Sequence, residues 1–211
     1  SYLPYCYNFA TYDLIFKGLP FITGVQSAPA KHADTFIQHV IQLCMFGASD
    51  QLLGATSIGD FLIVYSYLLK KDSLNNNYFT PNYIENPEMF DTYIRQELQK
   101  FVYTINQPVR KNQSIFTNIT IFDSIFLKEL QKLYIFEEGE SFDLDFTMMI
   151  QKKFLKFFNE YNRVQLFTFP VLSAQIKIDE ENEVEDEDFF DFICEINLDF
   201  ANLNIFGSNN L

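Results

Sequence analysis

Apolar residues recur at helical spacing along much of the chain. The longest such pattern predicts a helix from about Ala33 to Leu53, with Asp34 in the first turn, where a carboxylate favours a helix start. A second helix is predicted over residues 60–70, and its apolar residues on almost every side indicate that it is buried. The remaining predicted helices cover residues 11–17, 88–107, 124–133, 145–161 and 189–200.

Segments rich in β-branched and aromatic residues predict strands between these helices. They cover residues 2–9, 115–121, 164–171 and 203–206, and residues 174–178 are a possible extension of the third strand. Loops are predicted at residues 18–31 and 54–60, and the Asn-rich segment at residues 70–87 is predicted to be a flexible linker. Strands and helices in this order predict an α/β fold with mainly parallel strands.

The acidic charge of the chain is concentrated in one short run. The formal net charge is -13, and nine of the 28 carboxylates fall between Asp179 and Asp191. Outside this run, 19 carboxylates face 15 basic residues, so the rest of the chain is only mildly acidic. The run is interpreted as a solvated loop that leads into a helix. It lacks the Gly turn and the ligand spacing of a calcium loop, so no metal site is predicted, and the acidic balance argues against nucleic-acid binding.

Three further features indicate a soluble cytoplasmic protein. The longest apolar stretch, residues 61–69, is too short to span a bilayer, and no signal peptide precedes the first strand, so no membrane contact is expected. The cysteines are odd in number and widely spaced, which fits neither a disulfide framework nor a zinc site. They are Cys6, Cys44 and Cys194. Only two histidines occur, so a His-based catalytic triad has no support.

Five short blocks, in a fixed order, carry a resemblance to a known family. The blocks are LPYCYNFATYDLIFKGLP (3–20), PAKHADTFIQHVIQL (29–43), GATSIGDF (54–61), NQPVRKNQSIFTNITIFD (106–123) and LFTFPVLS (166–173). Together they resemble the catalytic subunit of anaerobic (class III, glycyl-radical) ribonucleoside-triphosphate reductases. The fourth block departs from the family pattern, because Lys111 and Asn112 stand where the family carries Gly and Ile115 stands where it carries Pro.

The resemblance implies a ten-stranded α/β barrel, of which residues 1–211 would form the first half as part of one catalytic domain. Helices beginning near Ala33, Asp60 and Glu88 would form the dimer interface, where deoxynucleotide (dNTP) or ATP effectors bind. An N-terminal allosteric domain and the C-terminal glycyl-radical segment would lie outside this chain. The implied activity reduces ribonucleoside triphosphates to deoxyribonucleotides for DNA synthesis, in a homodimer that a radical-SAM activating enzyme activates.

The resemblance also implies roles for the cysteines. Cys6 matches the cysteine of the first strand, which takes part in reducing the substrate; the alternative is a small buried hydrophobic residue. Cys194 could be aligned with the cysteine that carries the thiyl radical, but it lies in a helical pattern, whereas that cysteine follows a strand. The better alignment ends the chain a few residues before the radical cysteine, and it makes Cys194 and Cys44 core residues.

The fourth and second blocks contain candidates for nucleotide contact. In the family, the fourth block links the effector site to the active site, and amides offer both donors and acceptors to ribose or base. The candidates there are Arg110, Gln113, Ser114 and Asn118; ordinary loop capping is the alternative for each. Lys31 and His32 are candidates for phosphate contact, and the alternative is a solvated surface.

Two functions therefore follow from the sequence. In the first, the chain is part of a reductase. In isolation it would expose unpaired strand edges, and it would therefore aggregate or pair with another protein. The second is a catalytically inactive fragment that acts in dimerisation or nucleotide sensing. Both ends of the chain are interpreted as cuts through a larger domain, and a reading frame that continues past Leu211 into a cysteine-bearing loop would favour the first function. An unrelated α/β domain is the third interpretation.

Overall fold

The fold is built on one parallel sheet. The computed structural model describes residues 7–19, 27–46, 55–75, 79–108, 114–199 and 201–210. Within these ranges five strands pair in chain order, and every pair is parallel. The strands are β1 (Tyr7–Asn8), β2 (Thr56–Ser57), β3 (Thr117–Phe122), β4 (Val171–Lys177) and β5 (Leu203–Ser208). The predicted α/β fold with parallel strands is therefore confirmed.

Seven α-helices connect these strands within the described ranges. They are α1 (Leu14–Lys17), α2 (Ala33–Phe46), α3 (Phe61–Leu74), α4 (Pro87–Ile105), α5 (Ser124–Gln131), α6 (Leu144–Asn162) and α7 (Glu187–Asp199). Crossovers between parallel strands share one hand. In a sheet assembled in chain order, crossovers of one hand place their helices on the same face. The helices therefore cover one face of the sheet and leave the opposite face open to other contacts.

The hydrophobic core lies between the helices and one face of the sheet. That face carries side chains that are at most 1% exposed, and on β3 and β4 they are Thr117, Ile119, Ile121, Leu172, Ala174 and Ile176. Against it the helices stack aromatic rings: Phe61 lies 4.7 Å from Phe101 and 5.8 Å from Tyr65, between ring centroids. Burial of such rings supplies most of the free energy that holds helix and sheet together.

Local signals in the sequence set where several elements begin and end. Asp123 accepts a hydrogen bond from the backbone N–H of Phe126 (2.7 Å) and so caps α5. Asp143 caps α6 in the same way. Helix α1 ends at Gly18, whose φ of 66° places it in the left-handed region. A Cβ atom at this position would lie 2.0 Å from the carbonyl oxygen of Ser27, so only glycine fits.

The predicted strand at residues 164–171 is wrong. Residues 164–169 form an irregular loop, in which Val164 is 88% exposed, and the strand is the segment proposed only as an extension, Val171–Lys177. The β-prone loop is held by side-chain amides instead of a neighbouring strand. Asn162 accepts from the backbone N–H of Phe167, and Asn106 bonds both backbone polar groups of Phe169. Pro170, which has no N–H, follows directly.

Three further predictions need correction. Strand β2 lies in a segment predicted only as a loop. The predicted flexible linker contains the end of α3, and its residues 79–86 form turns, where the Ser73 hydroxyl donates to Pro81 O (2.9 Å) and accepts from the N–H of Tyr83 (2.8 Å). Cys44 is a core residue, as predicted, whereas Cys194 is only half-buried, because α7 packs mainly against one other helix, α6. The predicted end of the second-block helix, beyond residue 46, lies outside the described residues.

Candidate active site

The face of the sheet opposite the core is polar. Strand side chains alternate, and the register of the parallel pairs places one set of residues on this face. That set includes Asn8, Ser57, Asn118, Thr120, Ser173, Gln175, Asn204 and Ser208. Parallel sheets are usually covered by apolar side chains on both faces. Amides and hydroxyls in these positions indicate that this face binds a polar molecule.

A cleft of about 650 Å³ lies along this face at the carboxyl ends of the strands. The strands contribute polar side chains to it, from Asn8, Ser57, Thr120, Gln175 and Ser208. Aromatic residues form part of its wall, namely Phe9, Phe122, Phe126 and Tyr134. The volume falls within the range of small-molecule sites, which is roughly 300–1,000 Å³. Ligands of open parallel sheets bind outside the carboxyl ends of the strands, so this cleft is the candidate active site.

Asp60 fixes the part of the cleft next to β1. Its carboxylate is 6% exposed and accepts from the backbone N–H of Thr11 (2.9 Å), the hydroxyl of Thr11 (2.8 Å) and the backbone N–H of Tyr12 (3.0 Å). These contacts join the turn after β1 to the loop after β2. Burial raises the pKa of Asp60, and the hydrogen bonds from Thr11 and Tyr12 oppose that rise.

Tyr134 completes this side of the cleft. Its ring meets the ring of Tyr12 edge-on, with 5.1 Å between centroids. Burial raises the pKa of Tyr134, and the negative charge of the neighbouring Asp60 raises it further. The Tyr134 hydroxyl therefore stays neutral and can donate a hydrogen bond at physiological pH.

Two of the residues predicted from the fourth block are described, and they lie at different places. The amide of Asn118 lies on the cleft face and donates to the hydroxyl of Ser173 (2.9 Å). Ser114 precedes β3, at the amino end of the strand, and its hydroxyl donates to the backbone carbonyl of Asn106 (2.9 Å). Arg110 and Gln113 lie outside the described residues.

The predicted phosphate ligands lie before α2, next to carboxylates. Lys31 forms an ion pair with Glu137. Nδ1 of His32 lies 2.7 Å from Asp72, a carboxylate that is 3% exposed in its side chain and also accepts from the backbone N–H of Ala33 (2.7 Å). A phosphate that reached either residue would have to compete with a carboxylate of the protein itself.

The structure describes two of the three cysteines, Cys44 and Cys194. Cys6, the predicted catalytic cysteine, lies outside the described residues. Burial raises the pKa of the Cys44 thiol to about 12, opposed by a hydrogen bond with the Thr117 side chain, so this thiol stays protonated within the core. Cys194 is a free thiol on α7. Neither described cysteine lines the cleft.

Sequence reasoning missed most of the cleft. Ser57, Thr120 and Gln175 were not among the predicted site residues, although each lies at an alternate polar position in a strand. The pattern in TNITIF and in SAQIK, with polar residues at every second position, is the signal that could have found them. Their meeting at one cleft depends on the register between strands, which a single sequence does not reveal.

A metal centre and a membrane-spanning helix are both absent from the described residues. Across the described ranges, no three His, Cys, Asp or Glu side chains converge in a way that could hold a metal ion. In the same ranges, the helices are all too short or too polar to cross a bilayer.

Comparison with known proteins identifies close structural relatives. The family model for anaerobic ribonucleoside-triphosphate reductase matches residues 1–211. The anaerobic ribonucleotide reductase of Thermotoga maritima, solved with citrate in the active site, superposes with a TM-score of 0.86 at 34% identity, over 99% of this chain and 36% of that one. The same enzyme in complex with dATP and CTP gives a TM-score of 0.86 at 35% identity, over 99% and 34%. A search of curated protein sequences finds no match.

Proposed function

Because this chain belongs to the anaerobic ribonucleoside-triphosphate reductase family, we propose that its cleft binds a ribonucleoside triphosphate for reduction to the deoxyribonucleotide, a DNA precursor. The chain spans about a third of the length of the solved reductases that it matches. The activity of a whole reductase is therefore part of this proposal. The observation that carries it is the polar cleft face, at the end of the sheet where parallel α/β folds bind their ligands.

In the proposed enzyme, the five strands form the first half of a ten-stranded barrel in a single catalytic domain. Within the described residues, β1 pairs only with β2 and β5 only with β4, so each has an edge available for another strand. Closure of a barrel would pair these edges and would enclose the polar face as the interior. This arrangement explains why the sheet face is polar. A face that packed against an apolar layer would carry apolar side chains instead.

The chemistry of the polar sheet face suits a nucleotide sugar, since Asn118 and Ser173 lie on the same face as Gln175, which lines the cleft. Ribose hydroxyls both donate and accept hydrogen bonds, and the amides of Asn118 and Gln175 with the hydroxyl of Ser173 offer both functions on adjacent strands. The rings of Phe122 and Phe126 provide an apolar wall for the base or for a sugar face. These contacts would orient the ribose and exclude water from the reacting carbon.

Cys6 is proposed as the thiol that takes part in reducing the substrate. It belongs to the strand predicted over residues 2–9, and the resemblance matches it with the cysteine of the family's first strand. A glycyl radical, on a segment outside this chain, would supply the initial removal of a hydrogen atom. The role of this chain's own residues is to hold the ribose and to keep a protonated thiol near it.

Effector binding is proposed for the helices α2, α3 and α4. The reductase of Thermotoga maritima has been solved in complex with dATP and CTP and, separately, with dATP in the specificity site, and these are observations on that protein. By analogy, dNTP or ATP effectors would bind this chain at a homodimer interface, with Lys31 and His32 near the phosphates. Arg110, Gln113, Ser114 and Asn118 would connect that site to the cleft. A cytoplasmic location and a radical-SAM activating partner belong to the same proposal.

The alternative is a fragment that acts only in dimerisation or nucleotide sensing. It shares with the main proposal a contact surface between chains, for which the apolar side chains exposed around the connection between α3 and α4 are candidates: Phe79 is 96%, Ile84 66% and Met89 63% exposed. Exposed apolar side chains that cluster on one surface are typical of protein–protein contacts. This alternative requires nucleotide binding with no reduction.

The test is an anaerobic assay of the complete polypeptide with its activating enzyme, a ribonucleoside triphosphate and either formate or a thioredoxin-like reductant. The wild type is expected to form the deoxyribonucleotide. The variant Cys6→Ser is expected to form none, while it still binds the substrate. A wild type that binds nucleotides and forms no product with either reductant would support the alternative.

A further inference from the structure

Lys177 occupies an enclosed position at the end of β4. Its Cα pairs with Ser208 of β5, so it lies on the cleft face, one step beyond Gln175. Its side chain is only 15% exposed. An ammonium group that loses this much water needs other partners, since burial of an unpaired charge is costly.

The partners of Lys177 come from two separate parts of the fold, helix α5 and the residues after β5. Its Nζ donates to the carboxylate of Glu129 on α5 (3.2 Å) and to the backbone carbonyl of Asn209, after β5 (2.9 Å). The Nζ also lies 5.3 Å from the centre of the Phe126 ring. Contacts with a carboxylate, a carbonyl and a ring face satisfy a lysine ammonium in three directions.

The backbone of Lys177 is fixed as firmly as its side chain. Its N–H donates to Oδ2 of Asp123 (2.6 Å), the residue whose Oδ1 caps α5. The ammonium therefore projects from a fixed point, and the chain beyond β5 is held to that point through Asn209. Ser208 and Asn210, on either side of Asn209, both line the cleft.

We propose that Lys177 is a positioning residue, which holds the end of β5 and so keeps Ser208 and Asn210 in place at the cleft. The inference rests on the proposed function, in which the cleft binds the ribose. Lys177 does not contact the substrate, because its ammonium is already occupied by Glu129, Asn209 and Phe126.

The test compares Lys177→Met, Lys177→Arg and the control Lys128→Met in the complete, activated enzyme. Met keeps the length of the side chain and its packing on Phe126, and it removes the charge and the donors. Because a displacement of about 1 Å near the chemistry can cost about 100-fold in rate, kcat of Lys177→Met is expected to fall about 10- to 100-fold. KM and the amount of glycyl radical, measured by electron paramagnetic resonance, are expected to stay within about twofold.

Lys177→Arg, which restores a charged donor, is expected to recover a large part of the lost kcat. Lys128, exposed on the same helix as Glu129, is expected to tolerate substitution with no change in kcat. If Lys177→Met does not fold, Glu129→Gln replaces it, and a fall in kcat without a change in KM is expected there too.

Several results would overturn the proposal. One is a kcat of Lys177→Met equal to that of Lys128→Met; where Lys177→Met does not fold, the kcat of Glu129→Gln takes its place in this comparison. The others are a change confined to KM and a failure of Lys177→Arg to recover kcat. A wild type without reductase activity would overturn the proposed function as well, whereas an active wild type with an equally active Lys177→Met would overturn only the role of Lys177.

Discussion

The side-chain amide of Asn118 donates a hydrogen bond of 2.9 Å to the hydroxyl of Ser173, across the pair of strands β3 and β4. Both residues lie on the sheet face that carries the cleft, and both are half-buried. The bond fixes an amide and a hydroxyl side by side, and each keeps further capacity for a ligand. Such an arrangement is preorganised, so binding a polar molecule here requires little rearrangement of the protein.

Replacement of Ser173 by Ala is expected to weaken nucleotide binding. The variant removes a hydroxyl that holds Asn118 and adds no volume to the cleft face. A net loss of about one hydrogen bond, about 1.4 kcal/mol, corresponds to an affinity about tenfold lower. Isothermal titration calorimetry of the complete protein with a ribonucleoside triphosphate measures this change. Thr92→Val, at an exposed position of α4, is the control, and equal affinities for the two variants would contradict the assignment of the cleft.

Removal of the Asp123 carboxylate is expected to destabilise the fold strongly. Asp123 is fully buried, caps α5 through Phe126 and accepts the backbone N–H of Lys177. The variant Asp123→Ala loses the cap, worth about 1 kcal/mol, and leaves a buried N–H unsatisfied, at about 1–3 kcal/mol. Urea denaturation should therefore show a free energy of unfolding lower by about 2–4 kcal/mol.

Asp145→Ala provides the matched comparison for Asp123. Asp145 lies exposed in the first turn of α6, where a carboxylate contributes only through the helix dipole. A loss below about 1 kcal/mol is expected. If the two variants lose the same stability, the double role of Asp123 is wrong.

Asp60 is expected to make stability depend on pH. Burial raises its pKa, so the folded state keeps the Asp60 proton to a higher pH than the unfolded chain does. The stability that this group contributes is fully present below the ordinary pKa of 3.8 and is lost as the pH rises through the raised value.

The substitution Asp60→Asn removes that titration. The free energy of unfolding of the wild type, minus that of the variant, is expected to fall as the pH rises from about 4 to about 7. Asp145→Asn, at an exposed position, should leave this pH profile unchanged. A difference for Asp60→Asn that is constant, or that increases with pH, would show that the carboxylate is ionised in the fold at all these pH values.

Two phenylalanines provide a direct test of the core. Phe61 is fully buried against the rings of Phe36, Tyr65 and Phe101, whereas Phe79 is 96% exposed. Phe61→Ala is expected to lower the free energy of unfolding by about 3–5 kcal/mol, because it removes apolar contact and leaves a cavity. Phe79→Ala is expected to change it by less than about 0.5 kcal/mol. Thermal unfolding of both variants decides this, and similar losses would contradict the helix packing.

The helices could be predicted from the sequence because their signals are local. The apolar spacing in residues 88–107 and the carboxylate at Asp34 act within one or two turns, and the structure places α4 and α2 there. A strand was wrongly predicted at residues 164–171, because the aromatic residues there have high strand propensity but pack against helices. Phe167, for example, lies 5.1 Å from the Tyr103 ring of α4.

The candidate site was predictable only in part, because its residues are brought together by the register between neighbouring strands. Asn118 was found through a motif, whereas Gln175 and Ser57 are unremarkable in isolation and meet only when five strands align. Lys31 was predicted as a phosphate ligand, and its ion pair with Glu137, 106 residues away, is a contact that no local pattern indicates. The roles of Cys6, Arg110 and Gln113 stay predictions.

A crystal structure of the complete protein with a bound ribonucleoside triphosphate, CTP for example, tests the central claim most directly. The account predicts that the ribose lies in the cleft at the carboxyl ends of the strands, with its hydroxyls within hydrogen-bonding distance of Gln175 and of the Asn118–Ser173 pair. A nucleotide bound only among α2, α3 and α4, with its ribose away from the polar sheet face, would contradict the account and would assign the chain to nucleotide sensing instead.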